Sequence, residues 1–590
     1  MKNLSMTRPA DCADEPTGFE CTDVPQLLSA DLAVAHTLLN CLLRELSGPE
    51  HQTAIVDGYL QFRLPHSGVR LRVALRRTSL LGAHRFTGPV TELADGRWSA
   101  IGWQRLAEHI HTELTVLTGT PNDEFLGQVA SSHQGVAAAL AVARPAAARD
   151  PLTDYLASEQ SLIYGHRFHP TPKARGGDPA AWRAYAPEAA AKFPLHMLAV
   201  REELILQDQA ESGAAEPLDR LGAVPAGYRL LPAHPWQYRL LRDHPALQAA
   251  LSRRDVLDLG PGPIDFSATA SVRTLYDGAT FLKFSLNIRI TNCLRKNAAY
   301  ELAGAVFLTR LLGPALADLS ARFPGSDLLR EPAYRSLAIP GGGGLPELAL
   351  LEGLGVIVRE GLAARQRPGS TALLAAAVAD EYPTGPGHLS RLLAGADRTA
   401  ALRWWGRYLR LLIPPVLAAY FDHGIVLEPH LQNVLICVDP GGDPVQVLFR
   451  DLEGTKLLPE HHVRALETLP ASVSGPLTYD ADRGWDRIVY CLLVNHVAEL
   501  LAAFADLHPS AELALWSDVR CVIGEFAEQH GRAPRLDALL AGAPLPAKAN
   551  LLTRWGRAAD REAGYVRLRS PLAGPSGCAH VPVPGSRMAR

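Results

Sequence analysis

Several signatures of common enzyme classes are missing from this chain of 590 residues. No Gly-x-x-x-x-Gly-Lys-Ser/Thr loop occurs, and the one glycine run, Gly341–Gly344, leads into Leu345-Pro346, so a Walker A phosphate loop is excluded. There is no Gly-x-Ser-x-Gly nucleophile elbow and no carrier-domain serine motif, so nothing signals a covalent enzyme intermediate. The eight cysteines (12, 21, 41, 293, 437, 491, 521 and 578) form no Cys-x-x-Cys pair and no His/Cys cluster. That spacing predicts neither a zinc site nor a disulfide framework, but reduced structural thiols. Charge of one sign is also lacking: 58 basic and 61 acidic residues give a formal charge of −3. No global field then draws the chain to nucleic acid or to an anionic membrane. The first twenty residues have no apolar signal core, and the longest apolar run, Leu411 to Phe421, is too short to span a bilayer, so the expected location is cytoplasmic.

What is present is ordinary globular composition, 47% hydrophobic and 20% charged, in a chain too long for one core. Residues 1–25 read as disordered, and the Gly/Pro/Ser-rich end, 573–590, as a flexible tail. Helical apolar spacing covers 28–48 and 103–118, while Ala54–Leu64 and Val69–Arg76 alternate as strands. Residues 134–164 are Ala-rich and read as helical; 228–291 reads mainly as strands. Residues 298–320 and 345–395 read as helices around a flexible 338–344 loop. A further helix from Ala400 carries Trp404, Tyr408 and Leu411/Leu412 on one face and is expected to kink at Pro414-Pro415. The fold class is α+β with mixed and antiparallel sheets.

Chemistry concentrates in three segments. Over 282–291 polar and apolar residues alternate with period two. Lys283, Ser285, Asn287, Arg289 and Thr291 share one face of a predicted strand, and Leu282, Phe284, Leu286, Ile288 and Ile290 the other. Ser267, Thr269, Ser271 and Arg273 alternate on the strand before it. A three-residue loop at Tyr276-Asp277-Gly278, with Gly278 left-handed, would put Ser271 opposite Lys283 and Arg273 diagonally beside it. Two cations and a hydroxyl then converge on a patch suited to phosphate oxygens. The same pattern also suits a solvated face of an antiparallel sheet.

The second segment, 424–454, reads as a loop, a strand, a Pro/Gly turn and a strand that delivers Asp451. Glu428, His430, Gln432, Asn433 and Asp451 can meet at one edge, and Glu428, Asn433 and Asp451 are oxygen ligands of the kind Mg²⁺ prefers. Asn433 and Asp451 resemble the Asn and Asp of a kinase catalytic site. An ordinary polar hairpin would look similar. The third segment, GHRFHPTPKARGG at 165–177, is a Pro/Gly-bounded basic loop that could close over a polyanion. In LPAHPWQYRL, 231–240, His234 and Trp236 read as core fixtures.

Together these segments resemble the NRPS-independent siderophore synthetases, the IucA/IucC family, over roughly 150–572. The resemblance rests on GHRFHPTPKARGG, HPWQ, Ser271-Val272-Arg273-Thr274, KFSLNIRITNCLR and EPHLQNVLI followed by RDLEG. VIVRE at 356–360, Asn495 in YCLLVNH and the closing KANLLTRW fit as well; SPL at 570–572 departs from an expected Asn. The resemblance implies a thumb (26–190), fingers (191–395) and a palm similar to a kinase C-lobe (396–572), with ATP between fingers and palm. Carried over by position, Ser271, Arg273, Thr274, Lys283, Gln432 and Asp451 bind the nucleotide, and Glu428, Asn433 and Asp451 the Mg²⁺. Thr291, Asn292, Arg295 and His430 hold the carboxylate near the α-phosphate, and His169, Lys173 and Arg175 cover the acid. His430, Arg295 and Lys283 are the catalytic set, with His430 either binding carboxylate or deprotonating the incoming amine.

The expected activity is ATP-dependent condensation of a small polycarboxylic acid, citrate favoured, with an amine or hydroxyl through an acyl-adenylate, in a homodimer. A small-molecule kinase is the main rival, since Glu428, Asn433 and Asp451 would serve phosphoryl transfer too, although no Gly-x-Gly-x-x-Gly loop precedes Lys283. A non-catalytic carboxylate- or iron-chelate-binding protein would not need Lys283, Asp451 and ATP together.

Overall fold

The computed structural model describes residues 27–142, 150–290, 293–342, 345–531, 533–559 and 562–573. The expectations for 1–25, for the tail beyond 573, and for Thr291 and Asn292 therefore lie outside the described residues.

A helix at Ala30–Leu42, continued by a π-turn at Leu43–Ser47, packs with helices Trp103–Thr118 and Glu124–Leu140 against a five-stranded antiparallel meander. The spacing of Leu38, Leu39, Leu42, Ile110 and Leu114 buries one stripe of each helix on Phe62 and Val73, and Leu551 and Trp555 return from the far end of the chain to join this core. The predicted strand 54–64 is two strands, Thr53–Val56 and Tyr59–Arg63, because Asp57 and Gly58 turn the chain at φ 49° and 76°.

The central sheet has eight antiparallel strands. In order they are Ile205–Gln209, Ala333–Leu337, Val356–Arg359, Phe281–Phe284, Thr274–Tyr276, Val256–Ala268, Lys192–Arg201 and Tyr228–Ala233. Below it a four-stranded sheet, Ser326–Leu328, Pro444–Phe449, Val434–Val438 and Thr371–Leu374, has one parallel pair at its first position. Two strands thus stand inside 345–395, which helical spacing had claimed. Short apolar runs such as Val356-Ile357-Val358 read alike in either state, and burial between neighbouring strands decides.

The largest core gathers around helices Arg398–His423, Ala481–Leu507 and Glu512–His530, with Trp405, Tyr408, Leu412 and Phe504 at most 1% exposed. The helix from Arg398 runs through Pro414 and Pro415 to His423. Each proline removes a backbone bond at a cost of about 3 kcal/mol, and the complete burial of Ile413 and Val416 on this core offsets that loss. Among the described residues two helices, Ala299–Arg322 and Ala481–Leu507, are long and apolar enough to cross a membrane by composition, but the most apolar stretch of the second is almost wholly buried inside the protein. Cys41 and Cys437 are free and buried as expected, whereas Cys521 is disulfide-bonded, which sequence spacing did not signal.

Candidate functional site

The hairpin that carries Lys283 differs from its predicted register. Thr274 pairs with Lys283, Leu275 with Leu282 and Tyr276 with Phe281, so the loop is the four residues 277–280 rather than three. Asp277 Oδ1 accepts from the amides of Ala279 (2.8 Å) and Thr280 (2.7 Å), an aspartate turn that adds the fourth residue, and Gly278 takes φ 99°. The tip lies so close to Gly361 that a Cβ there would overlap the Ala279 carbonyl. Thr274, not Ser271, therefore faces Lys283. Ser271 sits in the preceding turn, where its Oγ accepts from the Thr274 amide (3.1 Å).

Arg273 nonetheless reaches the patch, because Val272 at φ 68° breaks the strand before it. Its guanidinium donates to Glu453 (2.6 Å) and to Asn297 Oδ1 (2.7 Å). Lys283 Nζ meets Asp451 Oδ1 at 2.5 Å, Glu453 at 2.8 Å and Glu331 at 3.7 Å, and Arg359 bridges Glu331 (2.6 Å) and Asp451 (3.2 Å). Three cations thus balance three carboxylates at one place. Burial disfavours the charged forms, but Lys283 and Arg359 overcome it and hold the Asp451 carboxyl well below the usual carboxylate range. Against the same burial penalty, Arg273 and Lys283 hold Glu453 at about 2. Asp451 itself lies at φ 78°, a left-handed conformation that a non-glycine residue keeps only where its surroundings impose it. The predicted strand 282–291 breaks at Ser285, whose Oγ binds Glu352 O and the Asn297 amide. The remainder, Leu286–Ile290, pairs with Cys293–Arg295 in a separate ribbon.

In the 424–454 segment, His430 Nδ1 accepts from the Gln432 amide (3.3 Å), which leaves Nε2 to carry the hydrogen of the neutral ring. Burial pushes this imidazole below its ordinary value while Glu428 and Asp451 work the other way. Glu428 is held by Arg487 (2.6 Å). Asn433 donates to the Glu428 carbonyl (3.3 Å), and neither Asn433 Oδ1 nor Asp451 Oδ2 carries a hydrogen bond among the described residues. Hard oxygens of this kind suit Mg²⁺; Asp451 and Asn433 fit such an ion, and Glu428, committed to Arg487, does not. Among the described residues no three His, Cys, Asp or Glu side chains form a closed metal cage.

The basic loop is less open than its composition suggests. Lys173 donates to Leu162 O (2.5 Å) and to Glu188, and Arg175 donates to the same Glu188 oxygen (2.6 Å) while stacking on Trp182. Burial lowers the Lys173 ammonium, with Glu188 opposing. His169 Nδ1 accepts from the Thr171 amide (3.1 Å). The loop is tied to the second segment by Asn495, whose amide joins His166 Nε2 (2.9 Å) to the Leu431 N–H (3.2 Å). Arg295 is half-buried and, among the described residues, pairs with no carboxylate. In HPWQ, His234 Nδ1 caps its helix through the Trp236 amide (3.1 Å), and Gln237 binds Gly353 O and the Asn287 amide, all structural contacts as expected.

Sequence reasoning missed Glu331, Glu453, Glu188 and the pair Glu159–Arg450. Glu453 and Arg450 flank Asp451 in RDLEG, and Arg359 ends the VIVR strand, so those motifs held a signal; Glu331 and Glu159 carry none in their local sequence. Glu159, fully buried, accepts from Arg450 (2.5 and 3.2 Å), from Tyr155 OH (2.7 Å) and from the Ala270 amide (3.0 Å). Arg450 also donates twice to the Gln432 carbonyl (3.1 and 2.9 Å). One buried ion pair thereby joins the turn before Ser271, the His430–Asn433 loop and the residue before Asp451.

The IucA / IucC family model matches residues 154–380, and the model described as ferric iron reductase FhuF-like transporter matches 402–563. A rhizobactin siderophore biosynthesis protein, RhbC, of Rhizobium meliloti (strain 1021) is 30% identical over 584 residues, covering 91% of this chain and 96% of its own. It spans both matched segments in one protein. An L-2,3-diaminopropanoate–citrate ligase of Staphylococcus aureus (strain NCTC 8325 / PS 47) is 30% identical over 423 residues, 68% of this chain and 72% of its own. The ATP-bound aerobactin synthetase IucA of a hypervirulent Klebsiella pneumoniae shares the fold, with a TM-score of 0.80 at 24% identity over 92% of this chain and 99% of that one. This chain belongs to the IucA/IucC family of siderophore synthetases and is a ligase of siderophore biosynthesis.

Proposed function

We propose that this ligase uses ATP to activate a small polycarboxylic acid, citrate or a close analogue, as its acyl-adenylate, and passes the acyl group to an amine or hydroxyl. The observation that carries this reading is the balanced set of Lys283, Arg273 and Arg359 against Asp451, Glu453 and Glu331. An arriving polyphosphate draws the cations to itself and leaves carboxylates that need a divalent ion. Asp451 and Asn433 are the residues that would hold Mg²⁺, which would supply charge neutralisation as phosphate and carboxylate oxygens come together. His430, a neutral donor within electrostatic reach of Asp451, is suited to the reacting carboxylate, and Arg295 brings a cation that pairs with no carboxylate among the described residues. Thr291 and Asn292 complete this half in the proposal, as do Ser271, Thr274 and Gln432 the nucleotide half. Citrate as the acid is supported by the similarity to the L-2,3-diaminopropanoate–citrate ligase of Staphylococcus aureus.

The proposal includes a thumb over 26–190, fingers over 191–395 and a kinase-like palm over 396–572, in a cytoplasmic homodimer. Lys173 and Arg175, tied to Glu188 here, cover the acid only if that pairing loosens. The test is hydroxylamine trapping across a panel of acids, with nucleotide products resolved. Hydroxamate with AMP and pyrophosphate is expected; ADP as product would establish a kinase instead.

A further inference from the structure

Arg44 is 93% removed from solvent, since its exposure is 7%, yet its guanidinium makes no hydrogen bond and no ion pair among the described residues. A buried cation left this way carries a desolvation cost that the surrounding charges offset only in part. Its sequence neighbour Glu45 does not serve it: both Glu45 oxygens accept from the amides of Leu551 and Leu552 (2.9 Å each). Glu499 acts on it only beyond ion-pair distance. The side chain keeps 7% of its surface exposed, and none of its nitrogens is both sealed from solvent and unpartnered.

The surroundings of the guanidinium follow from its contacts. The guanidinium lies 3.0 Å over the Phe168 ring, inside the loop that carries His166 and His169. The Phe168 amide donates to His166 Nδ1 (3.0 Å), and Asn495 joins His166 to Leu431, next to His430. Arg44 stands on the π-turn Leu43–Ser47, an irregularity that often marks functional positions. A guanidinium with an open fork of donors matches a carboxylate bidentately.

The geometry points to Arg44 as the binding residue for a substrate carboxylate that does not react. It is contributed by the N-terminal region, in which the sequence has no motif. The inference rests on the proposed ligase reading. The carboxylate has two sources: a second carboxylate of the activated acid, or the carboxylate of an amino-acid nucleophile.

The test uses the full chain with Arg44→Gln and Arg44→Lys in two assays. Hydroxylamine trapping with citrate reads the acid alone. Condensation of citrate with 2,3-diaminopropanoate against 1,2-diaminopropane reads the amine's carboxylate. Loss of a charge-assisted pair raises KM about ten- to a hundredfold in Arg44→Gln, with kcat less affected. A rise for citrate identifies the acid as the source. A rise confined to 2,3-diaminopropanoate identifies the amine. Arg44→Lys keeps the charge but loses the fork, and must still raise KM several-fold. Folded variants with unchanged KM in both assays overturn the inference. Absence of hydroxamate from the wild type with citrate would instead refute the ligase reading for that acid. Arg44 is then judged by thermal stabilisation on adding citrate, which needs no turnover; equal stabilisation of wild type and Arg44→Gln, or none in either, also overturns it.

Discussion

Replacing Glu159 with alanine tests the buried pair that joins three segments of the site. The carboxylate is fully buried and receives four hydrogen bonds, two of them from Arg450, whose side chain is 5% exposed. Removing it leaves the buried guanidinium without its carboxylate partner, and breaking such a pair costs about 3–5 kcal/mol. That is a large part of the roughly 5–15 kcal/mol that holds a domain together. Urea unfolding of Glu159→Ala should show an earlier midpoint with an unchanged slope, as expected when the native state alone is affected. The double variant Glu159→Leu/Arg450→Met removes both charges and should recover most of the loss, and the cycle isolates the pair. Because Arg450 also holds the Gln432 carbonyl and Glu159 the Ala270 amide, Glu159→Gln, which preserves volume, should raise KM for ATP more than KM for the acid. A loss in Glu159→Ala below about 1 kcal/mol, the worth of an exposed pair, would refute the reasoning.

Arg295→Ala and His430→Ala should each cut hydroxamate yield about 10²–10³-fold with the melting curve unchanged, and normal yield from either would remove it from the carboxylate half. Asp451→Asn should move the Mg²⁺ dependence of ATP–pyrophosphate exchange to higher concentration while KM for the acid changes little; the opposite pattern would invalidate the division of the site. Lys283→Ala should weaken ATP and also lower stability, because Asp451, Glu453 and Glu331 are left facing one another. Burial lowers His234 to about 3, and His496, bonded to Tyr408 OH and Pro429 O as a neutral ring, to about 4. Both are neutral in either state above their ordinary value of 6.5, so stability is full there; below it the unfolded chain takes up the protons first. Stability should then fall from pH 6.5 toward 4 by about 1.4 kcal/mol per pH unit for each histidine, and a pH-independent melting temperature in that window would contradict the two buried neutral rings.

Local pattern by itself determined the elements whose spacing has one reading. The Trp103–Thr118 helix matches its predicted bounds, the long helices at 299 and 398 begin where expected, and the strands around Lys283 and after His430 exist. Ordered motifs also carried the family, because Lys283, His430, Asn433 and Asp451 are recognisable beside their neighbours without any knowledge of distance. Tertiary structure alone decided which charges meet. Glu331 reaches Lys283, Arg359 reaches Glu331 and Asp451, Glu188 takes up Lys173 and Arg175, Glu159 finds Arg450 291 residues away, and Arg487 claims Glu428. A charged residue in a sequence is equally compatible with solvent, a structural pair or a substrate, and only burial against a particular partner separates the three. The hairpin register failed for the same kind of reason: the Asp277 side chain, the turn at Val272 and the close approach of Gly361 fix a loop length that strand alternation leaves open.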